Sequence, residues 1–248
     1  FSRLVTKLGT CTGLDIAKNQ LLHQAIQEGF IEDEALAIDA THFESRDRAK
    51  TEEKKSKPEP KKRGRKTKAE KEAYDTKKQE EEAQKTLFEK SIAAQLDVPF
   101  EDLRDLMPLA PAWGIKKNSE GKNVFWYGFK GHLAVGTKSQ YILESMMSSG
   151  SLNDGKAAIP LLKGVAKLPL SIRYGMLDAG YDYVPVYEQI HRMEAHSIIA
   201  YNKRNEGEIV GFDKNFTPTC VREHSYQYDS YDKRYKTIKF VRPKACID

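Results

Sequence analysis

At 248 residues, with 39% apolar and 31% charged side chains, the chain can bury a substantial core as one large domain or two small ones. No apolar run approaches the roughly 18 residues of a membrane span. Three cysteines, Cys11, Cys220 and Cys246, are too few for a disulfide scaffold, so a reducing cytoplasm is the default compartment. The net charge of +5 is local: residues 44–90 hold 17 Lys and Arg against 12 Asp and Glu, and the rest of the chain has 24 of each sign. The start at Phe1, with no signal-peptide pattern, and the end at Asp248, which closes no element, predict a piece cut at both ends.

In chain order, Leu14, Ile16, Ala17, Leu21, Leu22, Ala25 and Ile26 recur at helical spacing, and Gly29 is a stop signal. Residues 35–38 form an apolar strand that ends on Asp39. The charged stretch from Glu44 to Lys90 has almost no aliphatic side chains and cannot form a core of its own, although Thr67 to Ala94 suits an exposed helix carried by Glu–Lys pairs. Residues 44–108 therefore read as a charged arm inserted after the first strand. The core resumes near Trp113. A turn signal at residues 118–123 precedes two β-rich runs, Val124 to Val135 and Tyr141 to Met147. Ser151-Leu152-Asn153-Asp154 supplies caps for a helix over Lys156–Lys167. A strand over Ile172–Leu177 ends on Asp178, a helix spans Val184–Glu194, and a short strand covers Ser197–Tyr201.

The order strand, hairpin strands, helix, strand, helix, strand predicts an α/β class: a ribonuclease-H-like mixed sheet flanked by helices, with a highly charged insertion after the first strand. That scheme has an aspartate on the first strand and a second at the end of the fourth, and Asp39 and Asp178 fall at those points. Carboxylates on rigid strands are what a hard cation such as Mg²⁺ needs, and paired metals clamp an in-line phosphoryl displacement. A lone aspartate after a strand more often caps a turn; the collinear partner shifts the reading toward metal. Gly180-Tyr181 after Asp178 leaves the backbone room to approach a substrate.

Several collinear motifs carry a wider resemblance: Ala37-Ile38-Asp39-Ala40-Thr41-His42, Trp113-Gly114-Ile115-Lys116-Lys117-Asn118, Asn123-Val124-Phe125-Trp126-Tyr127-Gly128-Phe129-Lys130, Ser151-Leu152-Asn153-Asp154, the segment around Asp178, and Ile198-Ile199-Ala200-Tyr201-Asn202-Lys203-Arg204. Through them the chain resembles the DDE transposases of bacterial insertion sequences from about residue 34 onward. The resemblance implies Mg²⁺- or Mn²⁺-dependent cleavage at transposon ends and strand transfer into target DNA, with Asp39 and Asp178 as the first two metal-binding, catalytic carboxylates. It implies double-stranded DNA as partner, a homodimer in a synaptic complex, and a bacterial cytoplasmic, nucleoid-associated location. By it, residues 1–33 are the tail of a helical DNA-binding region, 34–43 the first core strand, 109–204 the remaining catalytic core and 205–248 the start of an insertion containing tyrosines and cysteines. The family's third carboxylate, a glutamate on a later helix, is expected beyond Asp248. Glu188, Glu194, Glu206 and Glu208 are weaker candidates. The alternative is a transposase-derived DNA-binding protein without chemistry.

Lys61, Lys62, Arg63, Arg65 and Lys66 surround Gly64 in a run like an AT-hook core, which suits DNA contact. Such runs also occur as solvated linkers. Lys130 and His132 share one face of a strand and are candidates for phosphate contact near the metals, against a solvated edge face as the bland alternative; His42 is a further cleft candidate. Cys220 and Cys246 lack the close spacing of a zinc site. Tyr226, Tyr228, Tyr231 and Tyr235 fit alternating strand packing better than base stacking, and Trp113 and Trp126 are expected to pack in the core or hairpin. No P-loop or nucleophile–His–acid triad is present.

Overall fold

The structure, a computed structural model, describes residues 13–46, 49, 67–117, 120–202, 211–242 and 244. The chain divides into two compact units, Phe1–Asn202 and Lys203–Asp248.

The first unit is built on a six-stranded sheet. Its strands are β1 (Ala35–Glu44), β2 (Ala112–Lys117), β3 (Asn123–Gly136), β4 (Ile142–Ser149), β5 (Tyr174–Leu177) and β6 (His196–Ile199), in the order β2-β3-β1-β5-β6, with β4 also on β3. The fourteen-residue β3 serves two partners along one edge: β2 pairs with Asn123–Gly128 and β4 with Phe129–Val135. Its other edge pairs antiparallel with β1 from Leu36↔Gly136 to Glu44↔Gly128. β1 and β5, and β5 and β6, are parallel. Gly128 stands where the ladder changes partner, at φ +158, and a Cβ there would lie 2.1 Å from the Phe43 carbonyl oxygen, so only glycine lets β1 pass. This mixed sheet with its crossover helices is ribonuclease-H-like.

Helices α1 (Gly13–Gln27), α2 (Lys68–Gln84), α3 (Phe100–Asp105), α4 (Asp154–Val165) and α5 (Val184–Arg192) complete the unit. The central one is α4. Asn153 caps it by accepting the Gly155 N–H at 2.9 Å, and Ala157, Ala158, Ile159, Leu161, Leu162 and Val165 are all buried. It packs with α5 on the sheet face carrying Leu36, Ile38, Ala134 and Leu177. Leu22 of α1 joins this core, and Lys18 reaches Glu144 of β4 at 2.5 Å.

The charged arm resolves into two parts. Residues 68–84 form the exposed helix expected of that composition, started by a Thr67/Glu70 capping box, but it stops ten residues short of Ala94. From Phe88 onward the chain belongs to the core: Phe88, Ile92, Leu96, Leu103 and Met107 are buried. Lys163 of α4 holds this segment, donating to the carbonyls of Gln95, Leu96 and Val98 at 3.1, 2.7 and 2.5 Å.

The second unit contains an antiparallel hairpin, β7 (Gln227–Asp232) with β8 (Thr237–Val241), preceded by a loop closed by the bridges Phe212↔Pro218 and Thr219↔Ser225. Tyr228 packs edge-on against Phe240, with ring centroids 6.4 Å apart.

Candidate active site

The parallel register of β1 and β5 runs from Ala35↔Tyr174 to Ile38↔Leu177. One residue further, Asp39 comes alongside Asp178, on strands about 4.8 Å apart. Asp178 is still extended, at φ −78 and ψ 177, so the alternation that buries Leu36 and Ile38 turns Asp39, with Met176 and Asp178, to the opposite face. Both aspartates are exposed. Asp39 is not at a strand end, because β3 keeps β1 extended through Glu44.

Each carboxylate spends one oxygen on its own backbone. Asp39 Oδ1 accepts the Ala40 N–H at 2.7 Å, and Asp178 Oδ1 accepts the Gly180 N–H at 2.8 Å, capping the 3₁₀ turn Ala179–Tyr181. Among the described residues neither joins an ion pair. Two adjacent hard oxygen donors with no such countercharge fit Mg²⁺ or Mn²⁺. Among the described residues no group of three His, Cys, Asp or Glu is arranged to hold a metal. Glu188 is tied to Arg192 at 2.8 Å on α5, Glu194 lies past that helix at φ +58, and Glu206 and Glu208 lie outside the described residues.

Beneath the pair is a polar layer on the helix-covered face. Lys130 and His132 pair across the ladder with His42 and Ala40, so they face away from Asp39. Lys130 Nζ meets Asp154 Oδ1 and the Leu152 carbonyl, both at 2.8 Å, and its side chain is only 14% exposed. His132 is fully buried with Nε2 2.7 Å from Ser148 Oγ. Burial, opposed by Asp154 and reinforced by Lys130, pushes its imidazole down to about 4. Of the two candidates for phosphate contact, His132 is thus buried against Ser148 and Lys130 is paired with Asp154. Two polar residues sharing a strand face do not reveal from sequence whether a helix covers that face. His42 also lies on this side, with Lys116 Nζ 3.1 Å from its Nδ1 and the Trp126 ring 4.9 Å away.

Sequence reasoning did not single out Tyr181 as part of the site. It is buried, and its hydroxyl has no partner among the described residues. Burial first, then Asp154, Asp39 and Asp178 nearby, raise its phenol well above the ordinary value, so it stays neutral below the carboxylates. The signal available was its place three residues after Asp178, in the turn that Asp178 caps.

The two tryptophans separate. Trp126 is 4% exposed, packed over Gly114, whereas Trp113 is 59% exposed. Lys61, Lys62, Arg63, Arg65 and Lys66 lie outside the described residues, as do Cys11 and Cys246. Cys220 is a free thiol in the second unit.

A family model described as "Transposase DDE domain" matches residues 31–241, spanning both aspartates and all eight described strands. Searches of curated proteins and of solved structures returned no match.

Proposed function

The chain belongs to the DDE-domain transposases, and from that premise we propose that Asp39 and Asp178 hold the divalent cation for cleavage at transposon ends and strand transfer into target DNA. DNA is the substrate this membership implies, and no described helix is long and apolar enough to cross a membrane. The observation that carries the reading is the placement of both aspartates one residue past the Ile38↔Leu177 pair of the parallel β1–β5 ladder, each with an oxygen left over.

When bound, Mg²⁺ or Mn²⁺ supplies Lewis-acid polarisation of phosphoryl oxygens and neutralises charge developing on them. The protein's part is to hold the two carboxylates rigidly. Paired neighbours on both edges fix the backbone of β1 around Ile38, and the capped turn fixes Asp178. Tyr181, the last residue of that turn, is itself buried. The basic run Lys61–Lys66 contacts DNA in this reading, which makes affinity fall steeply with salt. A homodimer that synapses two DNA ends and a nucleoid-associated cytoplasmic location belong to the same proposal.

One observation favours a second reading: no third metal-ligating side chain joins the pair among the described residues. A transposase-derived protein that only binds DNA needs none. The test is nicking of supercoiled plasmid with Mn²⁺ by the full chain, Asp39→Ala and Asp178→Asn. Nicking lost in both variants supports the catalytic proposal; equal nicking by all three proteins sinks it. Salt-sensitive binding without nicking, unchanged in the variants, selects the second reading.

A further inference from the structure

The face that carries Asp39 continues along the sheet as an aromatic stripe. The registers Trp113↔Tyr127 and Ile115↔Phe125 join the β2–β3 hairpin, and Phe43↔Phe129 leads from it to β1. Alternation sets all of these on the side opposite Trp126, the side of Asp39. Phe125 is 62% exposed and Phe43 49%. Trp113, Phe125 and Phe43 are bared and Tyr127 and Phe129 are half-buried among them; large aromatics grouped in this way, rather than scattered singly, mark a binding surface.

The occupant follows from composition and position. β2 and β3 contain no acidic residue, and Lys117 lies on the same face of β2 as Trp113 and Ile115, whereas Lys116 turns to the other face and His42. Flat π-faces beside a cation suit nucleobases joined by phosphates, because stacking is sequence-tolerant and the backbone meets Lys117. A duplex keeps its base faces covered, so the fit is to unpaired bases. Phe43 is four residues along β1 from Asp39, about 13 Å at about 3.3 Å per residue. That is roughly four stacked nucleotides at about 3.4 Å each.

We propose that Trp113, Phe125, Tyr127 and Phe43 form a stacking platform for unpaired bases of a DNA strand whose phosphates lead to the Asp39–Asp178 pair. The proposal rests on the DNA reading above, but not on the chemistry.

The test uses the full chain without metal, titrated with a thymidine 12-mer and with a duplex of equal length. Trp113 and Trp126 are the only tryptophans, and only Trp113 is open to contact, so stacking quenches Trp113 emission. Expected is quenching by the single strand and not by the duplex. Labelled-strand anisotropy should give single-strand binding weakened about 5-fold or more in Trp113→Ala and in Phe125→Ala, with Trp113→Phe close to the parent, as base–aromatic stacking requires. An unquenched Trp113, or equal losses for single strand and duplex, overturns the platform. So does a dimer that becomes monomeric in Trp113→Ala without DNA, since a second copy would then cover the stripe. Plasmid nicking separates the readings: nicking with a silent Trp113 removes the platform alone, and quenching without nicking removes the catalytic proposal alone.

Discussion

His132 offers a sharp test of the polar layer under the site. Its imidazole is held neutral by burial, down to about 4, against about 6.5 in an unfolded chain. Because the folded value is the lower one, the unfolded chain takes up the proton first as pH falls. The stability this group contributes is therefore intact above about pH 6.5 and is lost progressively from there toward pH 4. Between pH 7 and pH 5 the loss is about 2 kcal/mol, from one proton bound by the unfolded chain and not by the fold. Urea unfolding followed by Trp126, buried on the same sheet face, at pH 7, 6 and 5 measures it. For a urea slope of about 2 kcal/mol per molar, the midpoint should fall by about 1 M more in the parent than in His132→Gln. The introduced amide retains a hydrogen-bonding group toward Ser148 but does not titrate, so the variant's pH slope should be flatter by that amount. Parallel loss of stability in the two proteins would refute the argument, by showing that His132 is protonated in the fold or that its burial carries no penalty.

Gly114→Ala puts a Cβ 2.2 Å from the buried Trp126 ring and 2.7 Å from the Gly150 carbonyl oxygen; overpacking of this kind should cost about 1–3 kcal/mol in chemical denaturation, partly recovered by adding Trp126→Phe. Asp154→Ala removes the carboxylate partner of Lys130, which keeps the Leu152 carbonyl and the Trp126 ring, and should destabilise by about 1–3 kcal/mol, more than Lys130→Met, because the ion pair is partly enclosed. Mn²⁺ at about 100 times its dissociation constant should stabilise the parent by about 2.7 kcal/mol in thermal unfolding, and this increment should vanish in Asp39→Ala. Leu162→Ala, at a fully buried position of α4, should cost about 2–5 kcal/mol on thermal or urea unfolding.

Most core elements and their order were legible from the residues alone, but not β2 or the short helix Phe100–Asp105. Asn153 before an apolar helix, β-branched runs around a turn, and Glu–Lys pairs along the exposed arm act over a few residues, where local chemistry dominates. The family motifs were legible too, and they singled out the two aspartates. Local patterns were weaker at boundaries. Asp39 reads as a strand end, yet pairing with β3, distant in sequence, carries β1 on to Glu44. The arm reads as charged through Lys90, yet Phe88 and Ile92 are taken into the core because α4 presents Lys163 and an apolar surface to that segment. Which sheet face is covered was a matter for the folded chain. Period-two alternation separates Lys130, His132 and Trp126 from Asp39, Phe125 and Trp113, but it does not say which set meets a helix. The fold answers that: the helix-covered face buries His132, Trp126 on the same face packs over Gly114, and Trp113 on the other face is left bare. The meeting of Asp39 with Asp178, 139 positions apart in the chain, likewise comes from the β1–β5 register, which depends on long-range pairing that no local pattern encodes.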